Sequence, residues 1–183
     1  GQTAGSTSQG INSVAIGRSA GQTSQLTQAV AVGYVAGTTN QGANSVAVGV
    51  NAGNNTQGNS SIAVGNGAGQ TSQGASSVAI GITSGTTNQG INAIAIGSVA
   101  GNNTQSTNAI AIGNIAGQTT QGAAGVAIGQ SAGNNNQGNS SVAIGNGAGT
   151  TTQGGAGVAI GASAGNATQG ASSVAVGQLA GQT

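Results

Sequence analysis

Residues 13–60 read SVAIGRSAGQTSQLTQ, AVAVGYVAGTTNQGAN and SVAVGVNAGNNTQGNS, three lines of sixteen residues that align without a gap. The same register continues along the chain. Twelve residues of a partial unit (1–12) lead into ten full units (13–172), and a partial unit of eleven (173–183) follows, so all 183 residues form a single repeat array. A fixed period of this length must be settled before any domain-size argument is used, because each unit is then one structural turn that cannot bury its apolar face alone.

We number the places of a unit from one, at Ser13. Places two and four are always Val or Ile, place three is always Ala, and places five and nine are always Gly. Place eight is Ala except Ser84, place thirteen is always Gln, and place fourteen is Gly except Leu26 and Ser106. Of the 31 Val, Ile and Leu residues, 22 sit at places two and four. The apolar content is therefore two stripes. A disordered Gly/Ser/Asn/Gln-rich linker would satisfy the composition but has no need of an exact register.

Sixteen residues are too few for a helical hairpin repeat, and Gly every four to five residues would cost a helix about 1 kcal/mol each. The short Val-Ala-Ile segment, bounded by Gly, reads as a strand, and a second, polar strand runs through places ten to thirteen. Two short strands and two Gly-containing turns per unit describe an all-β fold, a parallel β-solenoid or β-roll with one 16-residue coil per repeat. Eleven to twelve coils stacked about 4.8 Å apart would make a rod roughly 55 Å long. The chain starts at place five and stops at place eleven without a cap, so a section of a longer fibre is expected.

Strand parity makes two arrangements available. In the first, places two and four point into the coil, and Ala at place three points out. The outward alanines Ala15, Ala31, Ala47, Ala63, Ala79, Ala95, Ala111, Ala127, Ala143, Ala159 and Ala175 would then be a self-association face, since exposed strand positions have no reason to be Ala. In the reversed parity, Ala lies inside a very thin coil and Val/Ile form a core between chains. On the polar strand, places eleven and thirteen are expected to face inward. The glutamines Gln9, Gln25, Gln41, Gln57, Gln73, Gln89, Gln105, Gln121, Gln137, Gln153 and Gln169 would form an amide ladder between coils, or alternatively cap a turn by bonding to backbone.

The composition excludes most chemistry. The chain has one charged side chain, Arg18, with no Asp, Glu, His or Cys. General acid–base catalysis and metal coordination lack their usual groups, so no catalytic residue, metal site or cofactor is expected and the chain is read as no enzyme. A net charge of +1 offers no footprint for nucleic acid, and no apolar run approaches a membrane span. Acceptor tripeptides for N-glycosylation occur at Asn54, Asn59, Asn102, Asn139 and Asn166, a number expected by chance in so Asn- and Ser-rich a chain.

The recurring SVAIG, AIAIG and GVAIG segments, each followed after a short turn by Ala and Gly, resemble the head repeats of YadA-like trimeric autotransporter adhesins. The fuller AGQTxQGxxSVAIG pattern, as at Gly21-Gln22-Thr23 and Gly117-Gln118-Thr119, is also similar to fibre-type repeat arrays of large aquatic viruses and environmental microbes. The resemblance covers the whole chain. It implies a left-handed β-roll, a homo-oligomer with a trimer favoured, an extracellular, cell-surface or virion-surface location, and surface glycans as binding partners. The period is longer than the usual adhesin repeat, and no neck, stalk or anchor is recognisable.

Three functions follow as expectations: a structural shaft of a filament, appendage or virion fibre; a surface adhesin head; and a flat array binding ice or carbohydrate. For the second, Arg18 and Tyr34 share place six in successive units, which stacking would bring within cation–π reach. For the third, Thr fills place eleven in eight of twelve units, from Thr7 to Thr183, against the inward parity assigned to that column.

Overall fold

The computed structural model describes residues 1–182, so Thr183 lies outside the described residues. It is a parallel β-solenoid in which each 16-residue unit makes one coil. The Val-Ala-Ile segments form an eleven-stranded parallel sheet that begins at Val14–Ile16 and ends at Val174–Val176. Successive strands pair in exact sixteen-residue register, Ala79 beside Ala95 and Ala95 beside Ala111. The polar segments form a second parallel sheet of seven strands, from Thr7–Gln9 to Asn103–Gln105. It continues through single bridges at Gln121 and Gln137 to the short strands Thr152–Gln153 and Thr168–Gln169. The turns are hydrogen-bonded from coil to coil as well: Gly21 N–H donates to Ala36 O (2.9 Å), Gly33 N–H to Ile16 O (2.8 Å) and Val35 N–H to Arg18 O (3.0 Å).

The interior is filled by small groups, which decides between the two parities. The place-three alanines from Ala31 to Ala159 have no exposure, Ala175 has 5%, and Ala15 packs against the same cluster. Those eleven residues, Ala15, Ala31, Ala47 and their successors to Ala175, line the inside of the coil and are not an outer contact face. Place eight is equally buried, so two columns of small side chains run along the core, Ala in every buried coil except at Ser84. The physical reason is thickness: opposite these methyls lie the place-nine Gly and the place-thirteen Gln, which leave no room for a branched side chain. Val and Ile at places two and four therefore turn outward.

Each buried Gln is a strut across the coil. Gln25 Nε2 donates to Val14 O (2.8 Å) on the opposite sheet and to Ala29 O (3.2 Å) at the start of the next unit. The first of these bonds recurs in every coil from Gln25 to Gln169. Amide-to-amide bonds join Gln89 to Gln105 (3.3 Å), Gln105 to Gln121 (3.1 Å), Gln137 to Gln153 (3.4 Å) and Gln153 to Gln169 (3.2 Å). The ladder is thus partial, and the backbone bonds are the constant feature. Gln9, in the first, uncovered coil, is exposed.

The Gln carbonyl lies on the bare Cα of the place-nine Gly. A Cβ built on Gly21 would stand 2.6 Å from Gln25 Oε1, and Gly21 also has φ +52°. Two requirements coincide there: a left-handed backbone and a surface flat enough for the amide to lie on. In six coils the Oε1 has no conventional hydrogen-bond donor, and contact with that Cα is its environment.

Place eleven departs from the expected inward direction. Place twelve is left-handed in most coils, for example Ser24 (φ 56°), Asn40 (φ 54°), Asn88 (φ 53°) and Thr104 (φ 57°). One such residue interrupts the pleat, so Thr at place eleven and Gln at place thirteen no longer share a face. Thr23, Asn55 and Asn103 are exposed, while Thr39, Thr71 and Thr87 are half-buried.

Candidate functional site

With an interior of methyls and amides, the side chains available to another molecule lie on two opposed faces. On one, the Val and Ile of places two and four stand in two parallel stripes along the eleven-stranded sheet. In the middle of the rod most of them are half-buried, and the more exposed ones reach little over a third (Ile62 37%, Ile80 38%, Ile128 36%). At the end strands Val174 reaches 71%. Because place three points inward, the two stripes are separated by a groove floored by backbone. Each stripe has β-branched residues about 4.8 Å apart and the groove is about 6.6 Å wide, two residues along an extended strand.

The opposite face carries only uncharged polar groups over most of its length. Places ten, eleven and twelve present Thr, Asn, Gln and Ser in columns, with Ala167 the exception. These groups bond along the rod: Thr119 Oγ1 lies 3.0 Å from Asn135 Oδ1 one coil away, and Asn102 Nδ2 donates to Thr86 Oγ1 (3.1 Å) and Thr83 O (2.8 Å). Hydroxyls and amides, each both donor and acceptor, can stack on themselves at this spacing where a charge could not.

Arg18 and Tyr34 stack on neighbouring coils, with the guanidinium carbon 5.2 Å from the ring centroid. Both project from the corner beside the apolar face, and Val50 follows them in the same column. At an exposed site such a pair contributes about 0.5–1 kcal/mol.

The five acceptor asparagines fall into two settings. Asn59 and Asn139, at place fifteen, are exposed and accept the N–H of Ala43 (3.0 Å) and Ala123 (2.9 Å) through Oδ1. Asn54 and Asn102, at place ten, are half-buried, and their Nδ2 atoms donate to the carbonyls of Val35 (3.3 Å) and Thr83 (2.8 Å). Asn166, in the same column, is also half-buried.

Two features were not anticipated from sequence. Ser at place one caps the preceding turn, as Ser45 Oγ does by donating to Gly42 O (2.6 Å) and Ser77 Oγ to Gly74 O (2.7 Å). The signal was a column restricted to Ser, Ala and Gly. The second is the set of left-handed residues at places seven, twelve and sixteen, foreshadowed in part by the Asn and Ser enrichment of those columns.

Two open depressions near the C-terminal end hold about 220 and 160 Å³, and the larger is lined by Thr151, Asn166, Ala167 and Gln182. Both are below the usual 300–1,000 Å³ of a small-molecule site. The extended faces, not these depressions, are the candidate functional surfaces. Comparison with known proteins returns no match, whether to a family model, a curated protein or a solved structure.

Proposed function

We propose that the chain is a structural rod, the shaft of an extracellular filament, appendage or virion fibre, and that it works by extension and self-association. The observation that carries this reading is the pair of outward Val/Ile stripes along the whole eleven-stranded sheet. An uncovered apolar face of this length is costly in water, and on a soluble protein a patch of several hundred Å² marks an interaction surface. A partner with the same 4.8 Å row spacing matches it best, and another copy of this chain has that spacing by construction.

Sedimentation analysis of the purified chain tests the reading. Assemblies larger than the 16.6 kDa chain are expected, and they should persist at 1 M salt because apolar contact, not charge, holds them. A stable, well-folded monomer at micromolar concentration would remove self-association from the function.

A second reading, a flat array that binds carbohydrate or ice, is favoured by the outward turn of the place-eleven Thr and Asn column. Its hydroxyls and amides repeat on a rigid frame. Thermal hysteresis and pull-down on insoluble polysaccharide measure it directly. If neither shows activity, the polar face is a solvated skin and the shaft reading stands alone.

A further inference from the structure

Asn is followed by Gly twice in the chain, at Asn66-Gly67 and at Asn146-Gly147. The two pairs are equivalent: residues 52–69 and 132–149 differ at only three places, and each pair occupies places six and seven of its unit, five coils from the other. Both asparagines are exposed, and both glycines are left-handed (φ 66° and 65°). In this dipeptide the side-chain amide is open to attack by the next main-chain nitrogen, because Gly has no Cβ to obstruct the approach.

The reaction needs only water. The Gly nitrogen gives its proton to solvent and bonds to Asn Cγ, the Cγ–Nδ2 bond breaks, and the amide leaves as ammonia with a proton returned by solvent. The cyclic imide then takes up one water at either carbonyl. Opening at one gives aspartate; opening at the other gives isoaspartate, in which the main chain runs through Cβ.

The folded coil withholds the nucleophile. Gly67 N–H donates to Val50 O (2.9 Å) and Gly147 N–H to Gln130 O (2.9 Å), each on the preceding coil. A nitrogen whose proton is held in such a bond cannot be deprotonated and turned toward Cγ unless the two coils part. Asn146 is held a second time, its Nδ2 donating to Gln130 Oε1 (3.1 Å), whereas Asn66 has the apolar Val50 as its neighbour in that column. Asn114 is an internal control. It is exposed in the same column and Ile115 N–H makes the same bond to Ser98 O (3.0 Å), but the β-branched Ile115 crowds its own nitrogen in any state of the chain.

We propose that Asn66 and Asn146 are modification sites of this chain, converted by their own main chain with water as co-reactant, which the folded coil keeps silent and an opened coil releases. The change is one-way. Aspartate places a carboxylate in a chain that has none, and isoaspartate lengthens the main chain of its unit by one atom and breaks the sixteen-residue register. An opening of these coils is thereby recorded in the covalent structure after the chain has closed again.

Tandem mass spectrometry of the whole chain, held in mildly alkaline buffer with and without concentrated guanidinium chloride, tests this, and circular dichroism reports the folded state of each arm. In the unfolded arm Asn66 and Asn146 are expected to convert before every other asparagine, Asn114 included, and the double variant Asn66→Gln with Asn146→Gln is expected to lose that fast phase. In the folded arm conversion at both sites is expected to be slower by roughly 100-fold or more, because it draws on rare open coils, with Asn66 ahead of Asn146. If the rod resists guanidinium, a synthetic peptide of residues 58–74, too short to stack, replaces the unfolded arm. Equal rates in the two arms would overturn the protection, and Asn146 leading in the folded arm would overturn the part given to its bonds with Gln130. Earlier conversion of any other asparagine in the unfolded arm would overturn the assignment of the sites.

Discussion

At place thirteen of each coil a single side chain joins the two sheets, and its amide does what neither apolar column can. Gln89 Nε2 reaches Val78 O (2.8 Å), Ala93 O (3.3 Å) and Gln105 Oε1 (3.3 Å), so one donor group serves both sheets and the next coil. Gln89→Ala is expected to destabilise the chain by about 2–4 kcal/mol in urea unfolding, through the lost cross-sheet hydrogen bonds and a cavity in a core that cannot collapse. Gln89→Glu keeps the shape and makes the loss depend on pH. Burial raises the carboxyl pKa above its ordinary value near 4.3, and only the protonated form can donate. That variant should be most stable below about pH 4 and lose stability as pH rises through the folded-state pKa, which urea titrations at several pH values would follow.

The elements were legible to different depths, and the reasons are physical. The period, the two strands per coil and the inward Gln follow from columns that admit one residue type. The facing of the Val-Ala-Ile strand does not, because the usual rule that the larger apolar residue is inside assumes an interior wide enough to hold it. Here the Gln amide occupies that width and only a methyl fits opposite. The polar strand misleads for another reason. Its alternation is interrupted by left-handed residues such as Ser24 and Asn88, types that adopt this backbone readily but do not announce it as Gly does.

That polar strand also sets a rule for charge. Asp in place of Thr71, Thr87 and Asn103 would stack three carboxylates about 4.8 Å apart, whereas Asp in place of Thr39, Thr71 and Asn103 separates them by two coils. The contiguous variant is expected to melt several degrees below the spaced one at low ionic strength, and salt should narrow the gap.

For the whole molecule, the near absence of charge becomes a property of the assembly. With no Asp, Glu, His, Cys or Lys, nothing in the core or on either broad face gains or loses a proton in the middle of the pH range. The wild-type thermal midpoint, followed by circular dichroism, is expected to vary little between about pH 3 and 9. A sharp loss of β-structure inside those limits would contradict the packing described.

The sixteen-residue register has a further consequence. Each interior coil offers its neighbours the same backbone donors and acceptors, the same methyl columns and the same amide strut, so any two are interchangeable. A duplication or deletion of sixteen residues, wherever it falls, therefore leaves no seam, while a change of any other length breaks every column at once. Such a gene can lengthen or shorten its product by unequal recombination without passing through a misfolded ancestor. The protein is in that sense a ruler, graduated in steps of about 4.8 Å, whose length selection can reset one mark at a time.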